Sequence, residues 1–521
     1  LKVGDVARTK IKPRCILALT ATASQAVMRD VCDTLGLNNT PHDEGGDVFA
    51  HSWRRDNLRL NVTDCCDEQE KLDTLCRLLG AKDDTGDVAC RGEATKKRRR
   101  SAEGSSVVYV RTQFDSERVA EQLRDRGVEA KPYHAGLSAG DRRNVARDFA
   151  RNTCRCVVAT VAFGMGVDKS DVRKVVHYAL PTSLERYVQE VGRAGRDGGE
   201  AHCDLLLDKA DVRRSAALAY GDGVERMQIL ELLKTLKVGY VAWPIDDCAE
   251  RLDLRVEALE TIATIVERHV NVDASCCGRS PDRARIRLRA KDAINQPVLK
   301  ALREGGLVKE PKRRDGKDED ESRDRTLHGP YSVSEAAHSL NAAPWVCRRD
   351  LERLRDGKKV DLELSGWSLL VKVDRLDISV EALATQVHDE LQRIEAASLK
   401  RLDVACDAFS KAVEDPSTLQ PRIDAYFDGS DACEGGVSAA FADIDSEAVA
   451  RTVQCLARDP KIREESSLAP SLRRDRHYLA RCVSRLLHGV PSAAFASKDW
   501  RQSQYWGRHA DVSFADVRRA A

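Results

Sequence analysis

The chain has 521 residues, 42% hydrophobic and 32% charged, and its 85 basic against 84 acidic side chains give a formal net charge of +1. That length exceeds one core and predicts about three or four domains, while the balanced charge excludes a global field for nucleic acid, so any such binding must be local. No apolar run approaches the ~18 residues of a membrane span, residues 1–20 lack a signal-peptide pattern, and the 17 irregularly spaced cysteines suit a reducing, intracellular setting.

Residues 16–19 predict a short apolar strand emptying into Thr20-Ala-Thr22. A helix follows with Val27, Val31 and Leu35 on one face and Gly36 as its stop. A polar connector occupies 38–55. From Asp56 to Asp208, strands at 107–110, 130–133, 156–160, 175–178 and 203–207 alternate with helices opening at Gln113, Ser138 and Ser183. This alternation predicts an α/β fold, a parallel sheet with helices on both faces. Ligands of such sheets bind beyond the carboxyl ends of the strands, where two glycine-rich segments are expected to fall. Residues 81–105 read as a disordered surface insertion. Its run Lys97-Arg-Arg-Arg100 fits a nuclear localisation signal or a solvated loop equally well.

The first glycine-rich segment is Gly164-Met-Gly166-Val-Asp168, fed by an apolar strand. The second, Gln189-Glu-Val-Gly-Arg193-Ala-Gly-Arg196-Asp-Gly198, sets two arginines about a helical turn apart among three glycines. A guanidinium there can reach a phosphate. The plainer alternative is surface ion pairing with Glu190 and Asp197, worth at most about 1 kcal/mol. Cys154 and Cys156 could supply two zinc ligands, but no second Cys/His pair follows at finger spacing, so no zinc is expected.

Beyond Gly223 the pattern becomes helical. Residues 223–306 predict a helix–turn–helix domain with Pro244 opening the middle helix, and 307–330 a charged linker. Residues 331–375 predict a winged helix. In it, a helix from Pro344 to Gly357 precedes a hairpin, 360–364 and 367–373, that turns at Ser365-Gly366. Cys347, Leu351 and Leu354 face inward, leaving Arg348, Arg349, Arg353 and Arg355 outside, which suits a helix against phosphates or the solvated face of a protein-docking module. Residues 376–521 form a helical carboxyl-terminal region. Within 473–508, eight Arg/Lys stand against two Asp. Tyr478, Trp500, Tyr505 and Trp506 are interleaved, which suits stacking on single-stranded bases; the favoured reading makes Trp500, Tyr505 and Trp506 core, with the arginines exposed.

Ala18-Leu-Thr-Ala-Thr-Ala23, Tyr133-His-Ala-Gly136, Ala159-Thr-Val-Ala-Phe-Gly-Met-Gly166, the run Asp171-Val-Arg173 with Val175-Val-His177, and 189–198 follow one another in an order that resembles the later motifs of the RecQ family of superfamily 2 DNA helicases. Ile423-Asp-Ala-Tyr-Phe427, Ala480-Arg-Cys-Val-Ser-Arg-Leu-Leu-His-Gly489 and Tyr505-Trp506 resemble, within that family, the branch of the Rothmund–Thomson syndrome helicase. The resemblance implies a P-loop NTPase architecture, with 1–37 the remnant of a first RecA-like lobe, 38–55 the interlobe linker and 56–215 the second RecA-like lobe. It implies ATP with Mg²⁺ between two lobes, DNA (single strands and duplex junctions) as partner, 3′-to-5′ travel, and a nuclear role in replication, recombination and repair.

On that resemblance Arg196 is the arginine finger, with Arg193 and Gln189 beside it, and such a finger is worth ~10³–10⁵ in rate. Gly164, Gly166 and Asp168 form the nucleotide-sensing turn, and Thr20 and Thr22 the interlobe relay. Thr160 and amides near Arg111-Thr112 hold DNA phosphates, as do Arg348, Arg349 and Arg353 of the winged helix. Several family parts are missing. No G-x-x-x-x-G-K-[ST] run occurs, since Gly316-Lys317 and Gly357-Lys358 are followed by Asp and Lys. The acidic Mg²⁺ motif, the aromatic-rich loop and the cysteine-rich zinc module are likewise absent. The expectation is therefore an ATP-dependent 3′–5′ DNA helicase present as an incomplete chain, inactive alone as an ATPase. The alternative is a non-catalytic DNA-binding or scaffold protein that keeps the second lobe and winged helix.

Overall fold

A computed structural model describes residues 3–20, 22–50, 54–80, 104–164, 169–289, 295–302, 326–430, 441, 445–459 and 468–521. The chain divides into two compact units. The first is Leu1–Ala219 with Ala397–Ile444 and Ala510–Ser513; the second is Tyr220–Ala396 with Asp445–His509 and Phe514–Ala521.

In the first unit, β1 (Leu58–Asp64), β2 (Ser105–Tyr109), β3 (Ala130–Tyr133), β4 (Cys156–Ala159), β5 (Val172–His177) and β6 (Ala201–Leu207) make one sheet in the order β1-β6-β5-β2-β4-β3. Every neighbouring pair is parallel. Parallel neighbours need crossovers, and the helices Glu68–Leu79, Gln113–Asp125, Ala139–Ala150 and Leu184–Val191 supply most of them. Thr112, Ser138 and Ser183 cap the last three by accepting from the amide three residues on. Alternation along the strands sends Val107, Val157, Val175 and Leu205 into one buried cluster and Val108, Val158, Val176 and Leu206 into another. Both faces are covered, as a parallel sheet requires. The expected α/β lobe of RecA-like kind is present.

Three boundaries differ. Residues 16–19 form no strand: among the described residues they have no sheet neighbour, and Leu17 and Leu19 are 78% and 85% exposed. The helix Gln25–Leu35 with left-handed Gly36 does form. Residues 81–103 of the expected insertion lie outside the described residues, and β2 already begins at Ser105. Residues 376–521 are not one region. The helix Val380–Glu414 carries Leu402, Ala405 and Phe409 into the cluster that holds Val62 and Tyr187, and Leu419 and Ile423 of the next helix join them. Phe409 meets Tyr187 edge-on at 5.1 Å.

In the second unit, β7 (Gly239–Pro244), β8 (Val272–Leu288), β9 (Thr326–Ser332) and β10 (Val360–Leu376) form a sheet ordered β7-β10-β8-β9, antiparallel throughout. Helices follow Pro244 (Ile245–Leu252) and occupy Val256–Arg268, Val333–Ser339 and Pro344–Asp356, as expected. The hairpin does not form. β10 runs straight through Ser365-Gly366 and pairs with β8 from Val360↔Leu288 to Leu376↔Val272, Gly366 absorbing a φ of +65° on the way. A two-stranded hairpin is marginal alone, and the long partner strand gives both halves of β10 a ladder in one direction. Residues 331–375 are thus not a self-contained winged helix, because β8 comes from the stretch expected to be helical and β9 begins inside the expected linker.

Arginines of 473–508 also divide. Trp500 and Tyr505 are core as favoured, Trp506 is only half-buried, and Arg473, Arg474, Arg476 and Arg501 are exposed. Arg481, however, is 2% exposed and bonds Glu225 at 2.6 Å with Glu395 at 3.4 Å, while Arg485 bonds Asp253 at 2.7 Å. They are interior ion-pair partners because three separate chain segments meet around them.

Candidate nucleotide-phosphate site

The helix Leu184–Val191 stops at Gly192, so Arg193 and Arg196 stand on irregular backbone rather than on one helical face. The Gly195 amide donates to the carbonyl of Val172, first residue of β5, at 2.8 Å, and the Ala201 amide opens β6 on the Asn57 carbonyl at 2.9 Å. The arginine segment therefore lies at the amino-terminal edge of the sheet, which corrects its expected place beyond the carboxyl ends. A helix-to-strand connection returns to the amino edge; only strand-to-helix loops build the carboxyl edge.

Two side chains just ahead of β1 hold the segment. Arg55 donates through Nη2 to the carbonyls of Gly192 at 3.0 Å and Ala194 at 2.7 Å. Asn57 donates through Nδ2 to those of Gly195 and Gly199, both at 2.8 Å. Gly195 sits at φ +54°, and a Cβ there would stand 2.4 Å from Asn57 Nδ2, so glycine is required. Burial, with the nearby Arg196 charge, lowers the Arg55 pKa from its usual value. The acids beside the arginines are engaged elsewhere. Asp197 binds Arg173 and the Gly199 amide, which hold its carboxyl at about 2. Glu190 is buried between His177 Nε2 at 2.8 Å and Arg186 Nε at 3.1 Å. Burial alone would raise its pKa, but these partners bring it below the ordinary value.

Arg193 Nη1 donates to the Gly164 carbonyl at 2.7 Å. At Gly164, φ is +149° and a Cβ would lie 2.1 Å from Arg193 Nη2. The two glycine-rich segments are therefore in direct contact. Arg193 Nε is buried without a hydrogen-bond partner among the described residues. Gln189 and Arg196 are exposed; Gly166 and Asp168 lie outside the described residues.

Arg111, Thr112 and Thr160 share the opposite, carboxyl edge, following the paired strands β2 and β4. Two of these side chains are already committed. Arg111 is 16% exposed and pairs with Asp211 at 3.6 Å, which also takes the buried Lys71. The Thr112 hydroxyl caps its helix, accepting from the Asp115 amide at 3.0 Å. Thr160 is buried, its amide on the Tyr133 carbonyl at 3.1 Å. Thr20 and Thr22 bond each other and, among the described residues, not the arginine segment. In the second unit Arg349 and Arg353 are exposed as expected, but Arg348 turns inward and donates to Ser280 Oγ at 3.0 Å.

Sequence reasoning missed Arg55 and Asn57, whose only signal was a polar run, Arg54-Arg-Asp-Asn57, just before an alternating strand, and gave no role to Arg173 although it lay in the run Asp171-Val-Arg173. Chemically, the amino edge offers guanidinium charge to a polyphosphate, and the chain contains no glycine–lysine cradle to hold one unaided.

The helicase conserved C-terminal domain model matches residues 70–198. ATP-dependent DNA helicase Q-like 5 of Arabidopsis thaliana is 28% identical over 98% of this chain and 53% of its own length. ATP-dependent DNA helicase RecQ of Pasteurella multocida is 40% identical over 44% of this chain and 32% of its own. Over these segments the chain is similar to the RecQ-type DNA helicases. Human ATP-dependent DNA helicase Q4 is 34% identical over 45% of this chain and 19% of that protein. The chain spans about half the length of the Arabidopsis relative and a third or less of the other two. Among solved structures, a DEAD box protein from Methanococcus jannaschii aligns at 28% identity over 30% of this chain and 37% of that one, with a TM-score of 0.24.

Proposed function

We propose that this chain carries the second motor lobe and part of the DNA-gripping apparatus of an ATP-dependent 3′–5′ DNA helicase acting in nuclear replication, recombination and repair. The observation that carries the reading is the Arg193–Gly164 bond at 2.7 Å. It ties the arginine segment at the amino edge to the crossover that leaves Thr160 at the carboxyl edge. ATP with Mg²⁺ supplies the free energy of hydrolysis when bound. Toward it, Arg196 neutralises charge at the γ-phosphate, and Arg193 reports that engagement to the Gly164–Asp168 turn. Gln189 stands on the same segment, and Thr20 and Thr22 relay the signal between lobes. Thr160 and backbone amides near Arg111-Thr112 hold strand phosphates, joined by Arg349 and Arg353, while Arg348 positions its helix from inside.

The chain by itself binds DNA and turns over no ATP above background, as a coupled assay with and without oligonucleotide reads. DNA-stimulated turnover from this chain would overturn the division of labour between lobes. In a product that also contains a phosphate-cradling lobe, Arg196→Ala lowers kcat by ~10³-fold or more. An unchanged kcat would sink the assignment.

A further inference from the structure

β8 presents a row of arginines to solvent. Its alternation buries Asp282, Ala284 and Ile286 and leaves Arg283, Arg285, Arg287 and the adjoining Arg289 exposed. Alternate residues on a strand recur about 6.8 Å apart, comparable with the reach of one extended nucleotide. On the neighbouring strand, Glu363 stands opposite Arg285 and Asp361 opposite Arg287. The ion pairs formed are Arg285–Glu363 at 3.9 Å and Arg289–Asp361 at 2.6 Å, both solvent-exposed. Exposed pairs of this kind contribute little and are readily exchanged. Arg283 and Arg287 make no ion pair among the described residues, and β9, on their other side, contains no Asp or Glu.

An aromatic completes the row. Trp367 is 58% exposed and stands on the same face of β10 as Ser365, the residue opposite Arg283. The Arg283 stem lies across Gly366, where a Cβ would meet its Cγ and Cδ at 2.8 Å. The missing side chain leaves room for the Arg283 stem at the residue that precedes Trp367. A large indole left in water on the same ribbon as guanidinium groups without an ion pair among the described residues is the combination that binds a single strand, by stacking on a base and holding successive phosphates.

We propose that the exposed face of the β8–β10 ribbon, centred on Arg283, Arg287 and Trp367, is a binding track for single-stranded nucleic acid, separate from the helix carrying Arg349 and Arg353. The choice of nucleic acid as occupant rests on the DNA-binding reading above. An acidic peptide would satisfy the charges but would have no use for a stacking platform.

The test is fluorescence anisotropy of the full chain with fluorescein-labelled oligo-dT across a salt series. Arg283→Glu with Arg287→Glu should weaken binding at least tenfold and flatten the slope of log K against log salt by about 1.4, two single-strand phosphates at ~0.7 each. Trp367→Ala should weaken it about tenfold and Trp367→Phe should recover most of the loss, with neither change felt by a duplex of equal length. These side chains are exposed, and an unchanged melting curve confirms that each variant folds. Full affinity in the stripe variants, with loss on Arg349→Glu and Arg353→Glu, would overturn the track and leave the DNA-binding reading standing. No binding by the unaltered chain would sink both. Binding indifferent to Trp367 and equally displaced by polyglutamate would mark a peptide surface and overturn the proposal.

Discussion

The two units place their charge in opposite ways. In the parallel-sheet unit apolar clusters cover both faces of the sheet, with buried Lys71 and the His177–Glu190 pair as exceptions, and the arginine segment gathers its ionic groups at one strand edge: Arg55, Arg173 and Asp197, with Arg193 and Arg196. In the antiparallel unit the most buried arginine sits inside, with Glu225 and Glu395 at bonding distance and Arg518 on Glu225. Edge charge can be offered to a ligand, because its desolvation is completed only on binding. Interior charge is spent on joining chain segments, and its removal strands a partner. A high density of arginine in sequence therefore says little about ligands until burial is known.

Arg481→Leu should give the largest effect. It leaves Glu225 and Glu395 facing each other without their shared guanidinium, and breaking such a buried network costs about 3–5 kcal/mol. Hydrogen exchange of β7 and β10 amides under mild urea reads the loss, which should spare β2 and β5 of the other unit. A change confined to a few tenths of a kcal/mol would mean that water already reaches the cluster, and the contrast between the units would disappear.

The same contrast governs how much was legible beforehand. In the parallel unit most strands and their following helices are sequence neighbours, so local periodicity and the caps Thr112, Ser138 and Ser183 located β2 to β6 and three of the helices, but not β1 or the helix Glu68–Leu79. Both glycine-rich segments could be singled out, since Gly164 and Gly195 are demanded by backbone geometry that leaves a mark in composition. What held them could not, because Arg55 and Asn57 act on carbonyls 137 to 142 residues away. In the antiparallel unit the defining event is the pairing of 272–288 with 360–376. Read locally, Ser365-Gly366 looked like a turn; only the distant partner strand makes it a straight passage. The packing of Phe409 on Tyr187 is long-range in the same sense.

Gly195→Ala tests the pinned edge with an intermediate effect. The added methyl must sit at φ +54°, 2.4 Å from Asn57 Nδ2 and 2.7 Å from the Gly199 carbonyl, and a strained, crowded site costs about 1–3 kcal/mol. Amides of 192–199 should exchange faster while Arg481 and its partners keep their protection. If Asn57→Ala in the same molecule restored protection, the clash would be with that side chain. If it did not, the backbone strain alone would account for the loss.

The smallest effect is a titration. Asp197 is held at about 2, first by its hydrogen bond to Arg173 and then by the Gly199 amide, against ~3.9 for an unperturbed aspartate. A carboxyl with a depressed pKa contributes its full stabilisation above the unfolded value and loses it as pH falls through the folded one. The Arg173 clasp should therefore be intact at pH 5 and open progressively from pH ~4 to pH ~2, as the Asp197 carboxyl signal and the 192–199 amides report together by NMR. Asp197→Asn should remove that step and leave the segment's exchange at pH 7 only slightly faster, since Arg55 and Asn57 still hold its carbonyls. A titration midpoint near the unperturbed value would show that Arg173 is not bound in solution, and that the arginine edge owes its order to those two residues alone.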